Sequence, residues 1–231
     1  MLTAFGLGAL AQLSLVLSAL VVFLVKVPQR AIGNLAGFGA GALIAAVATD
    51  LLPLAQQRLD VWQVAVWALL GVAVFLLGER YVDRKFGAEG GGGPLGIVVG
   101  SIVDGVPESI IFGVQLAMGT PVSLAFLAAV FVSNIPQALA PSADLARSGW
   151  NWRRLCSMWM WVVLACGAAA ALGHVFASAF SEANGARAAA LAAGGILAML
   201  TNSLTPFAHE RSKSAGTWTV LGFCFALALG G

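Results

Sequence analysis

The sequence LTAFGLGALAQLSLVLSALVVFLV occupies Leu2–Val25 and contains no charged residue. The first positive charge, Lys26, follows it directly. About 20 consecutive apolar residues are enough for a helix to cross the hydrocarbon core of a bilayer, which is about 30 Å thick. The run has no basic segment before it and is too long for the apolar core of a secretory signal. It therefore predicts a first membrane-spanning helix.

The same pattern recurs along the rest of the chain, which is 60% hydrophobic and only 10% charged. A soluble domain carries about 25% charged residues, so this chain lacks the charge for a water-facing surface. We expect an all-α integral membrane protein with eight transmembrane helices, forming a single transmembrane domain over residues 1–231. The predicted spans are Leu2–Val25, Ala31–Leu54, Val61–Leu77, Leu95–Ala117, Pro121–Asp144, Arg153–Ser178, Arg187–Ala208 and Trp218–Gly230.

The connections between these spans are short, and their positive charges are unequally distributed. The longest, at about 81–94, contains the flexible run Gly90–Gly93. Loops after odd-numbered spans hold ten Lys and Arg residues, whereas the opposite side holds Arg58 and Arg187. Positive residues in short loops favour the cytoplasm. We therefore expect both termini outside the cytoplasm and the Gly-rich loop inside it. The ten residues are Lys26, Arg30, Arg80, Arg84, Lys85, Arg147, Arg153, Arg154, Arg211 and Lys213.

Two carboxylates lie near the middle of the fourth predicted span. Asp104 and Glu108 are spaced i, i+4, which places them on one face of a helix. A charge at this depth costs at least about 2.5–3.5 kcal/mol, so it usually has a partner or a function. Between them, Pro107 removes a backbone donor and frees the carbonyl of Val103. Either a protonated pair or a bound cation would satisfy this arrangement.

The fifth span repeats this layout. Ser133-Asn-Ile-Pro-Gln137 has the same order of polar residues around a proline, and Pro136 would free the carbonyl of Val132. Two proline-broken helices with facing polar groups at the midplane are typical of a transport site.

A second internal repeat relates spans two and seven. Leu35–Arg58 aligns without gaps to Ala188–Arg211, with matches that include Gly41 with Gly194 and Pro53 with Pro206. The copies are five spans apart, so they would run in opposite directions, as in the inverted repeats of secondary transporters. The repeat places three polar residues near the ends of these spans, where they could line an entrance and an exit; for Asp50 an interfacial carboxylate is the alternative. The three residues are Asp50, Asn202 and Ser203.

Asp104-Gly-Val-Pro-Glu-Ser109 and Ser133-Asn-Ile-Pro-Gln-Ala138 resemble the paired motifs of the ZIP (Zrt/Irt-like) family of divalent metal transporters. The resemblance implies eight spans, external termini and a three-plus-two-plus-three inverted-repeat architecture. It also implies a midplane metal site on spans four and five. The implied ligands are Asp104, Glu108, Ser133, Asn134 and Gln137.

This chain departs from the family pattern at several of these positions. Asp104 stands where the family usually has a histidine, and Gln137 replaces a bridging glutamate. Span six contains no Asp or Glu. The three cysteines, Cys156, Cys166 and Cys224, have no metal-site spacing and are interpreted as packing residues. The expected site is therefore rich in oxygen ligands, with reduced selectivity for zinc over harder ions such as Mn²⁺.

The functional expectation is a ZIP-like permease that moves a divalent cation, Zn²⁺, Mn²⁺ or similar, into the cytoplasm. We expect no resident cofactor, no enzymatic activity and no nucleic-acid partner. The cation and the lipid bilayer, in a bacterial inner membrane, are the expected partners, and a homodimer remains an alternative to a monomer. Two other functions stay open: a non-transporting scaffold or metal sensor that kept the fold, and a proton-coupled transporter of another small solute.

Overall fold

A computed structural model describes residues 1–86, 93–179 and 182–230. The fold is all-α: about 90% of the structure is helical, and no strand occurs in these three ranges. We number its helices α1 to α8 along the chain. They are α1 (Leu2–Leu24), α2 (Gln29–Ala46, continued by Val47–Leu51 and Leu52–Gln56), α3 (Val61–Phe86), α4 (Gly93–Ala117), α5 (Leu124–Arg147), α6 (Trp152–Ala179), α7 (Glu182–Met199, continued by Leu200–Leu204 and Thr205–Arg211) and α8 (Ala215–Gly230).

Seven of these helices, α1 to α7, are long and apolar enough to cross a membrane. This confirms the prediction of an all-α membrane protein. The count of eight full-length spans is not reproduced, because α8 has 16 residues. At 1.5 Å per residue α8 is about 24 Å long, which is shorter than the hydrocarbon core of a bilayer.

The structure corrects the predicted loop at about 81–94. The helix α3 continues to Phe86, so the charged stretch after Gly78 is helical, and α4 begins at Gly93. The basic residues Arg84 and Lys85 lie in the last turn of α3, where they stabilise the negative end of the helix dipole. Of the predicted loop, residues 87–92 lie outside the described ranges.

The two prolines of the repeated motif do not break their helices. Pro107 lies inside the continuous helix α4, and Pro136 lies inside α5 together with Pro141. The prediction of proline-broken helices is therefore wrong for both motifs. A membrane helix tolerates a proline where neighbouring helices can satisfy the freed backbone groups. The helix α4 packs on α6 and α7, and α5 packs on α1 and α2.

The irregular backbone lies instead in α2 and α7. Val47–Leu51 and Leu200–Leu204 are π-helical, and they align with each other in the repeat of Leu35–Arg58 with Ala188–Arg211. Each segment is followed by a helix with a proline in its first turn, Pro53 or Pro206. A proline ring clashes with the carbonyl four residues before it. A wider π turn relieves that clash without ending the helix.

The helices α2 and α8 cross in backbone-to-backbone contact. A Cβ added to Gly41 would overlap the carbonyl of Thr219, and one added to Gly222 would overlap the carbonyl of Phe38. Small residues allow membrane helices to approach this closely. Glycine is therefore required at both positions by the neighbouring backbone.

The helices α3 and α7 cross in the same way. A Cβ on Gly71 would overlap the carbonyl of Leu191, and one on Gly194 would overlap the carbonyl of Ala68. In the sequence repeat, Gly194 is the partner of Gly41 and Leu191 is the partner of Phe38. The α2–α8 and α3–α7 crossings therefore use equivalent residues of α2 and α7.

The helix α1 lies between the two helices that carry the repeated motifs, α4 and α5. The helix α1 packs against α4, α5 and α6, and α4 also packs closely on α6. The helix α5 packs chiefly on α1 and α2. Because α1 lies against both α4 and α5, a polar side chain of α1 can contact polar side chains of both helices.

Candidate metal centre

The centre of the polar residues is Gln12, which lies in the charge-free run of α1. Its Nε2 donates a hydrogen bond to Oε2 of Glu108 at 3.3 Å. Its Oε1 accepts a hydrogen bond from Nδ2 of Asn134 at 2.9 Å. One amide side chain therefore joins the two repeated motifs of α4 and α5, and all three residues are buried.

The carboxylate of Glu108 is the most deeply buried acidic group of the site. Its side chain is 1% exposed, and Oε1 has no hydrogen-bond partner among the described residues. An unpaired buried polar atom costs about 1–3 kcal/mol, and more when it is charged. The bond from Gln12 satisfies only the other oxygen. In the described part of the chain, Oε1 of Glu108 therefore remains free to accept a hydrogen bond or to bind a cation.

Asp104 lies one helical turn before Glu108 but borders a separate small cavity of about 170 Å³. Two further acidic side chains, Glu79 and Asp83 of α3, line the same cavity together with Ser203 of α7. The hydroxyl of Ser203 donates to Oε1 of Glu79 at 2.9 Å. The cavity is therefore an acidic chamber between α3, α4 and α7, and it lies next to the Glu108 centre.

The sequence-based site did not include Glu79, Asp83 or Gln12. Glu79 and Asp83 have the same i, i+4 spacing as Asp104 and Glu108, so the signal was available. The predicted third span ends at Leu77, so the prediction places Glu79 and Asp83 in a connection and misses the helical face that they share. Gln12 gave a weaker signal, a lone amide in an apolar run.

Two of the five predicted ligands, Ser133 and Gln137, make no hydrogen bond to Gln12, Glu108 or Asn134 that the structure shows. The hydroxyl of Ser133 donates to the carbonyl of Val130 at 2.9 Å within its own helix, and the residue packs against Gly39 of α2. Gln137 is half-buried, one turn after Asn134 on α5. The structure therefore joins Glu108 and Asn134 through Gln12, and places Asp104 in the adjoining chamber.

The predicted path residues occupy the π-helical segments. Asp50 is half-buried and accepts a 2.6 Å hydrogen bond from the hydroxyl of Ser123, which also caps the start of α5. Ser203, at the equivalent repeat position, makes the bond to Glu79 described above. Asn202 is exposed. Each π segment thus supplies one partner of a hydroxyl–carboxylate hydrogen bond to another part of the fold.

A larger cavity, of about 1060 Å³, lies between α3, α4, α6 and α7, and none of the acidic residues of the site lines it. Its lining is apolar except for Asn184 and Arg187 near the start of α7. Such a groove suits lipid acyl chains better than an ion.

Within the described ranges, the usual metal-binding side chains do not form a metal site by themselves. No group of three or more His, Cys, Asp or Glu side chains within the described ranges is placed to hold a metal ion. A cation at Glu108 would therefore need neutral oxygen ligands, which the amides of Gln12 and Asn134 can supply. No protein-family model matches this sequence, and no curated protein matches it.

Proposed function

We propose that this protein is a ZIP-like permease that moves a divalent metal cation across the membrane into the cytoplasm, through a midplane site on α4 and α5. Glu108 is the central charged ligand, and Asn134 is a neutral one. Asp104 serves the same path from the adjoining chamber. Ser133 and Gln137 complete the proposed set after rearrangement of the side chains on α5.

One observation carries this proposal: the buried carboxylate of Glu108, whose Oε1 has no partner in the described part of the chain. Burying an unpaired charge is expensive unless a cation or a proton neutralises it. Its nearest hydrogen-bond partner, Gln12, is a neutral amide. A divalent cation bound there would satisfy the free oxygen and attract the second acid, Asp104.

For the architecture, we propose eight spans in a three-plus-two-plus-three inverted repeat. The aligned π segments and the equivalent glycine crossings of α2–α8 and α3–α7 support this arrangement. The short helix α8 can still serve as a span because α2 shields it closely. The bias of Lys and Arg towards one side favours external termini, and we propose a bacterial inner membrane as its location.

For the path, we propose an entrance near Asp50 and an exit through the chamber of Asp104 and Glu79. The two hydroxyl–carboxylate bonds, of Ser123 with Asp50 and of Ser203 with Glu79, would close the two ends. Asn202, which is exposed, would face the solvent beyond the second bond.

The test is uptake of Zn²⁺ and Mn²⁺ by proteoliposomes that contain the purified full chain. Glu108→Gln removes the charge but keeps an acceptor for Gln12, so uptake should fall by at least 10-fold while folding is retained. The matched control is Glu210→Gln, which removes an exposed carboxylate and should leave uptake unchanged. Equal uptake by the wild type and Glu108→Gln would refute the site.

The second candidate is a non-transporting scaffold or metal sensor. It is favoured by the absence of a three-residue cluster of metal-binding side chains in the described ranges, and by the internal bonds that already link Gln12, Glu108 and Asn134. Elemental analysis of purified protein together with the uptake assay separates the two. Bound metal without uptake supports a sensor, and neither metal nor uptake supports a scaffold. Uptake of protons without metal would support a proton-coupled transporter of another solute.

A further inference from the structure

The thiol of Cys166 lies at the same corner as the Gln12 amide. A Cβ added to Gly105 of α4 would lie 2.7 Å from Sγ of Cys166 and 3.1 Å from Nε2 of Gln12. Both polar groups therefore border one glycine. The same Nε2 bonds to Glu108, so thiol, amide and carboxylate converge from α6, α1 and α4.

These groups are enclosed. Cys166 is 0% exposed, and Gln12 and Glu108 are each 1% exposed. The unpartnered oxygen of Glu108 belongs to the carboxylate that faces this corner. A buried thiol alone is an ordinary packing group. Here the thiol and the carboxylate, which has an unsatisfied oxygen, are both neighbours of the Gln12 amide, so both are available to a cation bound beside that amide.

The internal repeat gives an independent reason for the position of Cys166. Asn134 of the second motif aligns with Gly105 of the first. Gln12 of α1 contacts Asn134, and Cys166 of α6 contacts Gly105. Thus α1 and α6 each direct one polar side chain at the equivalent place of the two motifs. Since α6 contains no Asp or Glu, Cys166 is the side chain through which α6 reaches this centre.

We propose that Cys166 is a metal ligand of this centre and sets its selectivity, binding as a thiolate together with Glu108 and with amide oxygens of Gln12 and Asn134. This inference rests on the proposed metal-binding function. Binding forms one metal–sulfur bond and releases the thiol proton to water, so sulfur is neither oxidised nor reduced. Two anionic and two neutral ligands give the four-coordinate shell that Zn²⁺ adopts in proteins.

Coordination requires two amides to turn together. Gln12 now directs its NH₂ group at Glu108, so it must turn about its terminal bond to present its oxygen to the cation. Asn134, whose NH₂ group now donates to that oxygen, must turn as well, so that its own oxygen accepts from Gln12 or binds the cation. Gly105 leaves the space between thiol and amide free, because any side chain there would collide with both groups.

The consequence is a preference for softer ions. Thiolate ligands favour Zn²⁺ and its heavier analogue Cd²⁺, whereas Mn²⁺ and Mg²⁺ prefer oxygen. The oxygen-only site expected from the sequence did not include this thiol. With Cys166 as a ligand, the permease discriminates against Mn²⁺.

The experiment is a Cd²⁺ titration of the purified full chain in nanodiscs, followed by the ultraviolet absorbance of the cadmium–thiolate bond. We expect one equivalent of Cd²⁺ to produce the band in the wild type and in the double variant Cys156→Ser, Cys224→Ser, which retains only Cys166. Cys166→Ser should abolish the band and weaken Zn²⁺ and Cd²⁺ binding by at least about 10-fold. Its Mn²⁺ affinity should change less than threefold.

A wild type that binds Cd²⁺ by elemental analysis but shows no band would overturn the ligation and leave the proposed permease standing. A band that persists in Cys166→Ser would have the same meaning. A wild type that binds no metal would overturn both. Since the first result needs no substitution at Cys166, a folding defect in that variant cannot mask the answer.

Discussion

The glycine crossing of α2 and α8 allows a quantitative test of the fold. In Gly41→Ala the added methyl group would overlap the carbonyl of Thr219, and the two backbones must move apart. Forcing an extra methyl group into a packed interface typically costs about 1–3 kcal/mol. Alanine also favours a helix over glycine by about 0.8–1.0 kcal/mol, so the appropriate control is a glycine with open surroundings.

Gly6 of α1 is that control, because a Cβ there would meet no atom within 4 Å. Gly6→Ala gains the helix preference without the overlap. The free energy of unfolding of Gly41→Ala should therefore be about 1–3 kcal/mol lower than that of Gly6→Ala. The repeat adds a second expectation: Gly194→Ala, at the equivalent crossing of α7 with α3, should lose a similar amount.

The assay is unfolding in mixed micelles of increasing dodecyl sulfate fraction, followed by helical circular dichroism. Equal unfolding free energies for Gly41→Ala and Gly6→Ala would refute the close crossing. A normal Gly194→Ala beside a destabilised Gly41→Ala would refute the equivalence of the two crossings while leaving the first one intact.

Three further predictions concern the site and the orientation. Protons compete with metal for carboxylate and thiolate ligands, so Zn²⁺ affinity should fall steadily from pH 8 to pH 5, and a flat titration by calorimetry would contradict ligation by Glu108. Gln137→Glu adds a carboxylate near the centre and should strengthen Zn²⁺ and Mn²⁺ binding, because opposite charges attract strongly where water is scarce. The cost of burying that charge limits the gain in affinity. Unchanged affinities would show that this part of α5 does not face the site. In a cysteine-free background, Lys213→Cys should react with an impermeant maleimide only from the cytoplasm and Asp60→Cys only from outside, and the reverse labelling would invert the topology.

The membrane class could be predicted from the sequence because it depends on local composition. A run such as Leu2–Val25 is recognisable without any knowledge of its neighbours, and the helix α1 covers nearly all of it. The length of α8 could not be judged equally well. The helix begins at Ala215, before the predicted start at Trp218, yet it remains shorter than the bilayer core.

The predicted pair of Asp104 and Glu108 shows where helix periodicity stops being informative. Their spacing correctly indicates one helix face, but residues one turn apart are about 6 Å apart along the axis. At that separation each side chain meets different neighbours. Glu108 meets Gln12 of α1, whereas Asp104 borders the chamber with α3 and α7.

The role of Gln12 depends entirely on tertiary contacts. Its two partners are 96 and 122 residues away in the sequence, and nothing within α1 indicates which helices will adjoin it. The same holds for Cys166, whose meeting with Gly105 depends on how α4 packs on α6. Spacing patterns find residues of one helix face, and they cannot find a centre assembled from three helices.

The π-helical segments have a consequence for chain length. Each accommodates one residue more than a regular turn, and one residue corresponds to a rotation of about 100° in an α-helix. In a regular α-helix an additional residue would turn the remainder of α2 by that angle, so that Leu54 and Ala55, which are buried, would leave the core. The wide turn of Val47–Leu51 absorbs the additional residue, so the inward face of α2 is in phase on both sides of Asp50, and an alignment with a protein that has a straight helix here would need a one-residue gap in mid-helix.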